Sequence, residues 1–341
     1  MMRLRKLAGA ALEQYGLRDA RVGFLKQRNW KTLFRVASPT RGEFTLHMYR
    51  RQKLGEDALR SPDGLRSFDG RSSEAALHSQ LLWMAALRRE TDLSVPEAIP
   101  TLDGSLTSYV SVEDVPAPRR CTLLRWMPGE SMLESLRPAN LSLVGSYVAR
   151  MHLHAERFSV PEGFLRPRWD WDHVLGNSAL LWSRGEVFYS ESEMEVFRAA
   201  AERVKWTLQA VGENSSVFGI IHSDLLPQNF VFHTGTVCAI DFDKCGWGYY
   251  LFDLAGMFRA LGFSAPMQAA LLEGYQRERP LTEDYQKHFE TCMAMRAVVL
   301  VNRIIGWKTP TRQPWGPSFL SDAVKELAGF LENDSSRKAG E

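Results

Sequence analysis

Short β-prone segments dominate the chain up to Met127-Pro128-Gly129 and amphipathic helices dominate after it, so one chain must build two different kinds of packing. "RVGFLKQ", "KTLFRVAS" and "GEFTLHMYR", with a turn at Ser38-Pro39-Thr40-Arg41-Gly42, predict an antiparallel meander, and "SLTSYVSVED" and "CTLLRWM" predict two more strands. One long helix interrupts them: "EAALHSQLLWMAALRRE" carries Leu77, Leu81, Met84 and Leu87 on a stripe, with Ser73 placed to cap it. At the N-terminus Leu7, Ala11, Leu12 and Tyr15 predict a helix over a domain edge. Residues 55–73, rich in Gly, Ser, Asp and Arg, read as a loop or insertion. The expected fold is therefore α+β and two-lobed, with a mainly antiparallel β lobe over residues 1–127 and a mainly helical lobe over 128–333. A tail over 334–341 has little to bury and is expected to fray. Its 341 residues exceed what one core usually serves.

Charge and cysteine usage exclude some classes of function. Lys and Arg total 42 against 40 for Asp and Glu, which gives no electrostatic case for a nucleic-acid partner or an anionic membrane. No apolar run approaches the roughly 20 residues that cross a bilayer. Cys121, Cys238, Cys245 and Cys292 lack metal-site spacing, so reduced thiols and a cytoplasmic location are expected. His152 and His154 fall on opposite sides of their helix and do not predict a joint metal site.

The stretch "IIHSDLLPQNFVFHTGTVCAIDFDKCGWGYYLFDLAGMF" packs two His, four Asp and an Asn into a largely apolar run. "NFVF" and "VCAI" flank the turn former His233-Thr234-Gly235-Thr236, which predicts a hairpin over 229–241. Counting back from the turn sets Phe232 opposite Val237 and Asn229 near Ile240, so Asn229 and Asp241 meet at the open end. Asp224 lies on the loop feeding that end. An amide and a carboxylate with open positions suit Mg2+ held jointly with substrate phosphates, and a carboxylate five residues before the Asn suits a base for an attacking hydroxyl. Protein-kinase-type phosphoryl transfer divides its labour in this way. His222 itself reads as a hydrogen-bonded core residue.

The sequence also resembles the aminoglycoside phosphotransferase and choline kinase family, nearest its branch of type II homoserine kinases and bacterial stress-response Ser/Thr kinases. "HSDLLPQNFVF", "IDFDKCGWGYYLFDLA", "CTLLRWMPGE" and "FLRPRWDWD" carry the resemblance, which runs from about residue 20 to 305. It implies a protein-kinase-like fold with ATP in the cleft between lobes, adenine hydrogen-bonded to backbone near Leu124, Arg125 and Trp126. It implies Asp224 as catalytic base and Asn229 and Asp241 as Mg2+ ligands, with Asp243 either holding a second ion or structural. Asp253 resembles an aspartate that braces the catalytic loop. The implied partners are ATP and a small molecule bearing a hydroxyl, a protein Ser/Thr being the lesser expectation.

The chain departs from the family where phosphate is met. The strand lysine of such folds is expected at His47 and its helix glutamate at Gln80, with Glu74 an alternative. Lys31 or Arg50 is the alternative source of the lysine's charge, although each reads first as a solvated surface charge. The glycine-rich loop is missing, which leaves backbone amides around Gln27 to Trp30 to cap the phosphates. Leu226 and Lys244 stand where the branch often has His and Asp. These losses open a second reading, a catalytically silent nucleotide-binding protein. The aromatic run Trp169-Asp170-Trp171-Asp172-His173, with Trp182, reads as core packing or as a wall of the acceptor pocket.

Overall fold

The computed structural model describes residues 2–27, 31–50, 74–113, 115, 117–177, 179–262, 264–306 and 316–338. The expected loop at 55–73, the cap at Ser73 and residues 28–30 of the expected phosphate turn lie outside them.

The first lobe contains α1 (Met2–Gln14), β1 (Arg21–Gln27), β2 (Lys31–Ser38), β3 (Gly42–Arg50), α2 (Glu74–Glu90), β4 (Ala98–Ile99), β5 (Ser108–Val110) and β6 (Arg119–Arg125). The strands form one antiparallel sheet in the order β1-β2-β3-β6-β4, with β5 also on β6. Side chains alternate across it. Phe34, Val36, Phe44, Leu46 and Met48 point to one face and pack with Leu7, Ala11 and Leu12 of α1 in a small core. The opposite parity faces the second lobe: Leu33 pairs with His47 and Lys31 with Tyr49, so these four share the other face.

The second lobe runs β7 (Glu130–Ser131), α3 (Pro138–Ala155), β8 (Arg168–Trp169), α4 (Trp171–Val174), α5 (Leu180–Arg184), α6 (Glu191–Val211), β9 (Phe218–Ile221), β10 (Phe230–His233), β11 (Thr236–Ala239), β12 (Gly246–Tyr249), α7 (Tyr250–Leu261), α8 (Ala265–Glu278), α9 (Tyr285–Ile305) and α10 (Gly316–Lys338). Local signals start its helices: α3 opens on Pro138, and α6 on a capping box in which Ser190 and Glu193 bond reciprocally. α3 and α8 approach almost backbone to backbone. A Cβ on Gly274 would lie 1.9 Å from Ser142 O, so only glycine permits the contact. Two small sheets, β11-β10-β7 and β8-β12-β9, carry the site between the helices. The larger core includes Leu81, Trp83, Met84 and Leu87 of α2, which therefore ties the lobes together.

The tail expected to fray is helical as far as Lys338. Leu320, Ala323, Leu327 and Phe330 pack α10 into the core, and the helix that this packing nucleates continues beyond it.

Candidate active site at the lobe junction

The hairpin forms in the expected register. Phe230 pairs with Ala239 and Phe232 with Val237, and the Ile240 amide donates to Asn229 O at 2.8 Å. The ladder thus delivers Asn229 and Asp241 to one end. Asn229 Nδ2 donates to Asp224 O at 2.8 Å and approaches Asp224 Oδ2 at 3.4 Å. That fixes the amide with its Oδ1 turned away, and among the described residues this oxygen accepts no hydrogen bond.

The loop between β9 and β10 is held from below. Ser223 has φ 59° and Asp241 φ 64°, both in the left-handed region that costs non-glycine residues free energy. Ser223 is pinned at three points: its amide donates to Asp253 Oδ1 at 2.6 Å, its hydroxyl to Lys244 O at 2.6 Å, and its carbonyl accepts from Arg296 Nη1 at 2.9 Å. Asp253, fully buried at the start of α7, also accepts the His222 amide at 2.9 Å and faces His152 Nε2 at 3.3 Å. Burial opposes its ionisation, yet these donors hold its carboxyl below the usual carboxylate range. His222 donates from Nε2 to Ile240 O and accepts the Asp224 amide on Nδ1, so it is a neutral core imidazole that orients its neighbour. Asp224 itself accepts from Lys244 Nζ at 2.8 Å.

The cation of the site is Lys31, on β2. Its ammonium is 1% exposed, lies 2.8 Å from Asp241 Oδ1 and makes a second, shorter ion pair with Asp243. Lys31, which reads from the sequence first as a solvated surface charge, is instead buried in the site. His47 is buried beside Lys31, and desolvation together with that positive neighbour lowers its imidazole to about 3, so it carries no charge near neutral pH. Lys31 shares a sheet face with His47 and stands one strand over, so β2 can present a cation on the face where β3 presents His47. Burial would depress the ammonium, but Asp241 and Asp243 outweigh it and raise it. Asp241 also feels burial first, and Lys31 overrides it, bringing the carboxyl far below its ordinary value. Asp243 is raised instead, because burial and the Asp241 carboxylate exceed the help from Lys31.

Gln80, expected to replace a glutamate paired with the strand cation, instead reaches Asp243 Oδ1 through Nε2 at 3.5 Å, leaving its buried Oε1 without a partner. Tyr49 donates to the same carboxylate oxygen at 3.2 Å. Asp243 is 3% exposed and encircled by donors, whereas the Asp241 side chain is 31% exposed. Asn229 and Asp241 therefore offer oxygens to a hard cation. Among the described residues no three His, Cys, Asp or Glu side chains gather as a metal site of their own. Arg166, which sequence reasoning missed, fixes this segment to α2: it donates to Asp243 O at 2.7 Å, Cys245 O at 2.7 Å and Ala76 O at 2.9 Å.

Two of the backbone amides at the expected adenine contacts are already used. The Arg125 amide already donates to Glu97 O at 2.8 Å and the Trp126 amide to Glu43 O at 3.0 Å, extending the sheet beyond β6. Met127 has the first amide past β6 with no hydrogen bond among the described residues. In the aromatic run, Trp169 is buried, stacks on Phe252 and donates to Lys244 O at 3.0 Å, and it also lines a cavity at Asp224. Trp171 and Trp182 spend their indole N–H groups on backbone carbonyls. His154 bonds Glu90, away from His152.

The profile of the phosphotransferase enzyme family matches residues 46–288, which include α2, the catalytic loop, the hairpin and α7. The chain belongs to this family. Within the phosphotransferase enzyme family it is similar to the homoserine kinase of Gluconobacter oxydans (strain 621H), 28% identical over 219 residues that cover 61% of this chain and 65% of that protein. It thus spans less than two thirds of that relative. Among solved structures, the microcompartment-associated aminopropanol kinase superposes with a TM-score of 0.76 at 23% identity, over 97% of this chain and 98% of the other. An amicoumacin kinase in complex with AMP-PNP, Ca2+ and Ami gives 0.71 at 16% identity, over 96% and 92%. The shared fold is protein-kinase-like, as the sequence predicted.

Proposed function

We propose that the chain is an ATP-dependent phosphotransferase that moves the γ-phosphoryl group to a hydroxyl of a small molecule. The observation that carries this reading is the convergence of Asp224, Asn229, Asp241 and the buried Lys31, from two lobes, at the open end of one hairpin. Asp224 accepts the acceptor's hydroxyl proton as the oxygen bonds to the γ-phosphorus and the bond to the β-phosphate oxygen breaks, releasing ADP. Lys244, 2.8 Å from Asp224 Oδ1, holds that carboxylate in position. Lys31 meets phosphate charge as the usual strand lysine would, and Asp243, itself held by Tyr49 and Gln80, keeps it in place. Asn229 and Asp241 would hold Mg2+, which when bound offsets charge on the triphosphate. Met127 N–H is the donor to adenine, beside the carbonyls of residues 124–126.

The homoserine and aminopropanol kinases among its likenesses support a small hydroxyl acceptor. A silent nucleotide binder was suggested by His47 and Gln80 standing where charges are expected; the buried Lys31 beside Asp241 supports the enzyme reading instead. Replacing Asp224 by Ala is expected to lower acceptor-dependent ATP consumption by roughly 10²–10⁴-fold. The thermal shift induced by Mg-ATP should persist in the same variant. Undiminished turnover would refute the role given to Asp224.

A further inference from the structure

Beside Asp224 lies a cavity of ≈ 210 Å³, and every described residue lining it belongs to the helical lobe. It is thus on the acceptor side of the carboxylate, away from the sheet that faces the nucleotide. Helical spacing builds its walls: Gly256, Arg259 and Ala260 form one stripe of α7, and Arg296, Val299, Leu300 and Arg303 form one stripe of α9. Trp169, Leu226 and Phe319 supply the remaining apolar surface. The charges are lopsided. Lys244, Arg259, Arg296 and Arg303 line the cavity, and Asp224 is the one carboxylate among its described lining residues.

We propose that this cavity selects an acceptor whose hydroxyl-bearing carbon chain ends in an oxyanion, a carboxylate or a phosphate, and that it disfavours acceptors bearing an ammonium group. The proposal rests on the phosphotransferase reading and names the substrate class of the same site. Three of the four cations keep local partners. Lys244 pairs with Asp224, and Arg259 pairs with Glu326 while its Nε is left without a partner. Arg296 donates from Nε to Phe252 O and from Nη1 to Ser223 O, has Asp253 Oδ1 3.9 Å from Nη2, and leaves Nη2 without a hydrogen bond. Arg296 is 8% exposed and its guanidinium seats against Gly256, where a Cβ would lie 2.5 Å from Nη2. Arg303, in the last turn of α9, makes no ion pair or hydrogen bond among the described residues.

A buried, partly unsatisfied guanidinium and an uncommitted arginine one face along are suited to an anion, which a planar N–H fork holds through charge-assisted bonds. An ammonium group would find only Asp224, already shared with Lys244 and needed for the proton. An amino alcohol or choline would therefore enter against net positive charge with no carboxylate to pair. The apolar stripe between the arginines accommodates the carbon chain.

Two arms test the proposal on the full chain. In the first, glycerate, 4-hydroxybutyrate, glycerol 3-phosphate, 1-amino-2-propanol and choline are compared for thermal protection and for stimulation of ATP consumption with Mg2+. The anionic probes are expected to protect and turn over, with the glycerate to glycerol phosphate ratio telling carboxylate from phosphate. Equal or better protection by the amino alcohol or choline overturns the proposal, whether or not ATP is consumed. In the second arm, Arg303→Gln is expected to weaken the anionic probe about 10- to 100-fold, as loss of a charge-assisted bond does, with the Mg-ATP shift unchanged. Arg303→Glu should move preference toward the amino alcohol. An unchanged ranking in both variants overturns the assignment of Arg303. Should no Mg-ATP shift and no ATP consumption be seen while anions still protect through Arg303, the phosphotransferase reading fails and the anion site stands.

Discussion

Lys31 decides the chemistry of the site at the scale of single residues, and it is the residue that sequence pattern alone misplaced. In "KTLFRVAS" it opens a strand whose next members, Thr32 and Phe34, belong to the opposite face, so it looks like an exposed end. Its burial depends on the α2 side of the cleft and on the Asp241 and Asp243 loop, which lie far off in sequence. Parity was the available signal, since antiparallel pairing with β3 sets positions 31 and 47 on one face. By contrast, Asn229 and Asp241 were legible because a hairpin's register is fixed by its turn. Exchanging Lys31 for Met is expected to cut turnover by roughly 10²–10³-fold, the cost of removing one preorganised electrostatic contact. His47→Gln should leave the rate and its pH profile between pH 6 and 8 unchanged, because the imidazole is already neutral there. Steady-state ATP consumption on both variants is the check; a large loss with His47→Gln and none with Lys31→Met would return the cation to β3.

Elements position these groups through local devices that the sequence partly displayed. The helix starts at Pro138 and Ser190 and the turn after His233 follow residue preferences within a few positions, so they were readable. The backbone amides of Arg125 and Trp126 were not: their use depends on Glu97 and Glu43, brought alongside by sheet order. Another such device is Asp170, which caps α4 and links β8 to it. Burial alone would raise its carboxyl, but hydrogen bonds from His173 and Arg168 prevail and bring it to about 2. A depressed acid stabilises the fold above its unfolded value near 4 and loses that contribution as pH falls through 4 towards 2. The shift amounts to about 2 kcal/mol. His173 is raised by the same contact, and its smaller share is complete below its unfolded value and fades as pH rises past the folded one. Denaturant unfolding at pH 3, 5 and 7 is therefore expected to show acid loss that is weaker in Asp170→Asn. Identical acid slopes in the two proteins would remove Asp170 from this role.

Across the whole molecule, the change of period near residue 127 announced two lobes, and the separate cores of α1 with the first sheet and of the helical lobe follow from it. The net charge of +2 hid a local gathering of arginines, because α7 and α9 bring Arg259, Arg296 and Arg303 together from 44 positions apart at no motif spacing. The central claim is that one hairpin end, supplied with a cation from the opposite lobe, receives the triphosphate. A crystal structure with a non-hydrolysable ATP analogue and Mg2+ tests it most directly. The account predicts phosphate oxygens in contact with Lys31 and with an ion on Asn229 and Asp241, and Asp224 facing the terminal phosphate. A triphosphate bound away from these residues, with Lys31 still closed on Asp241 and Asp243, would contradict it.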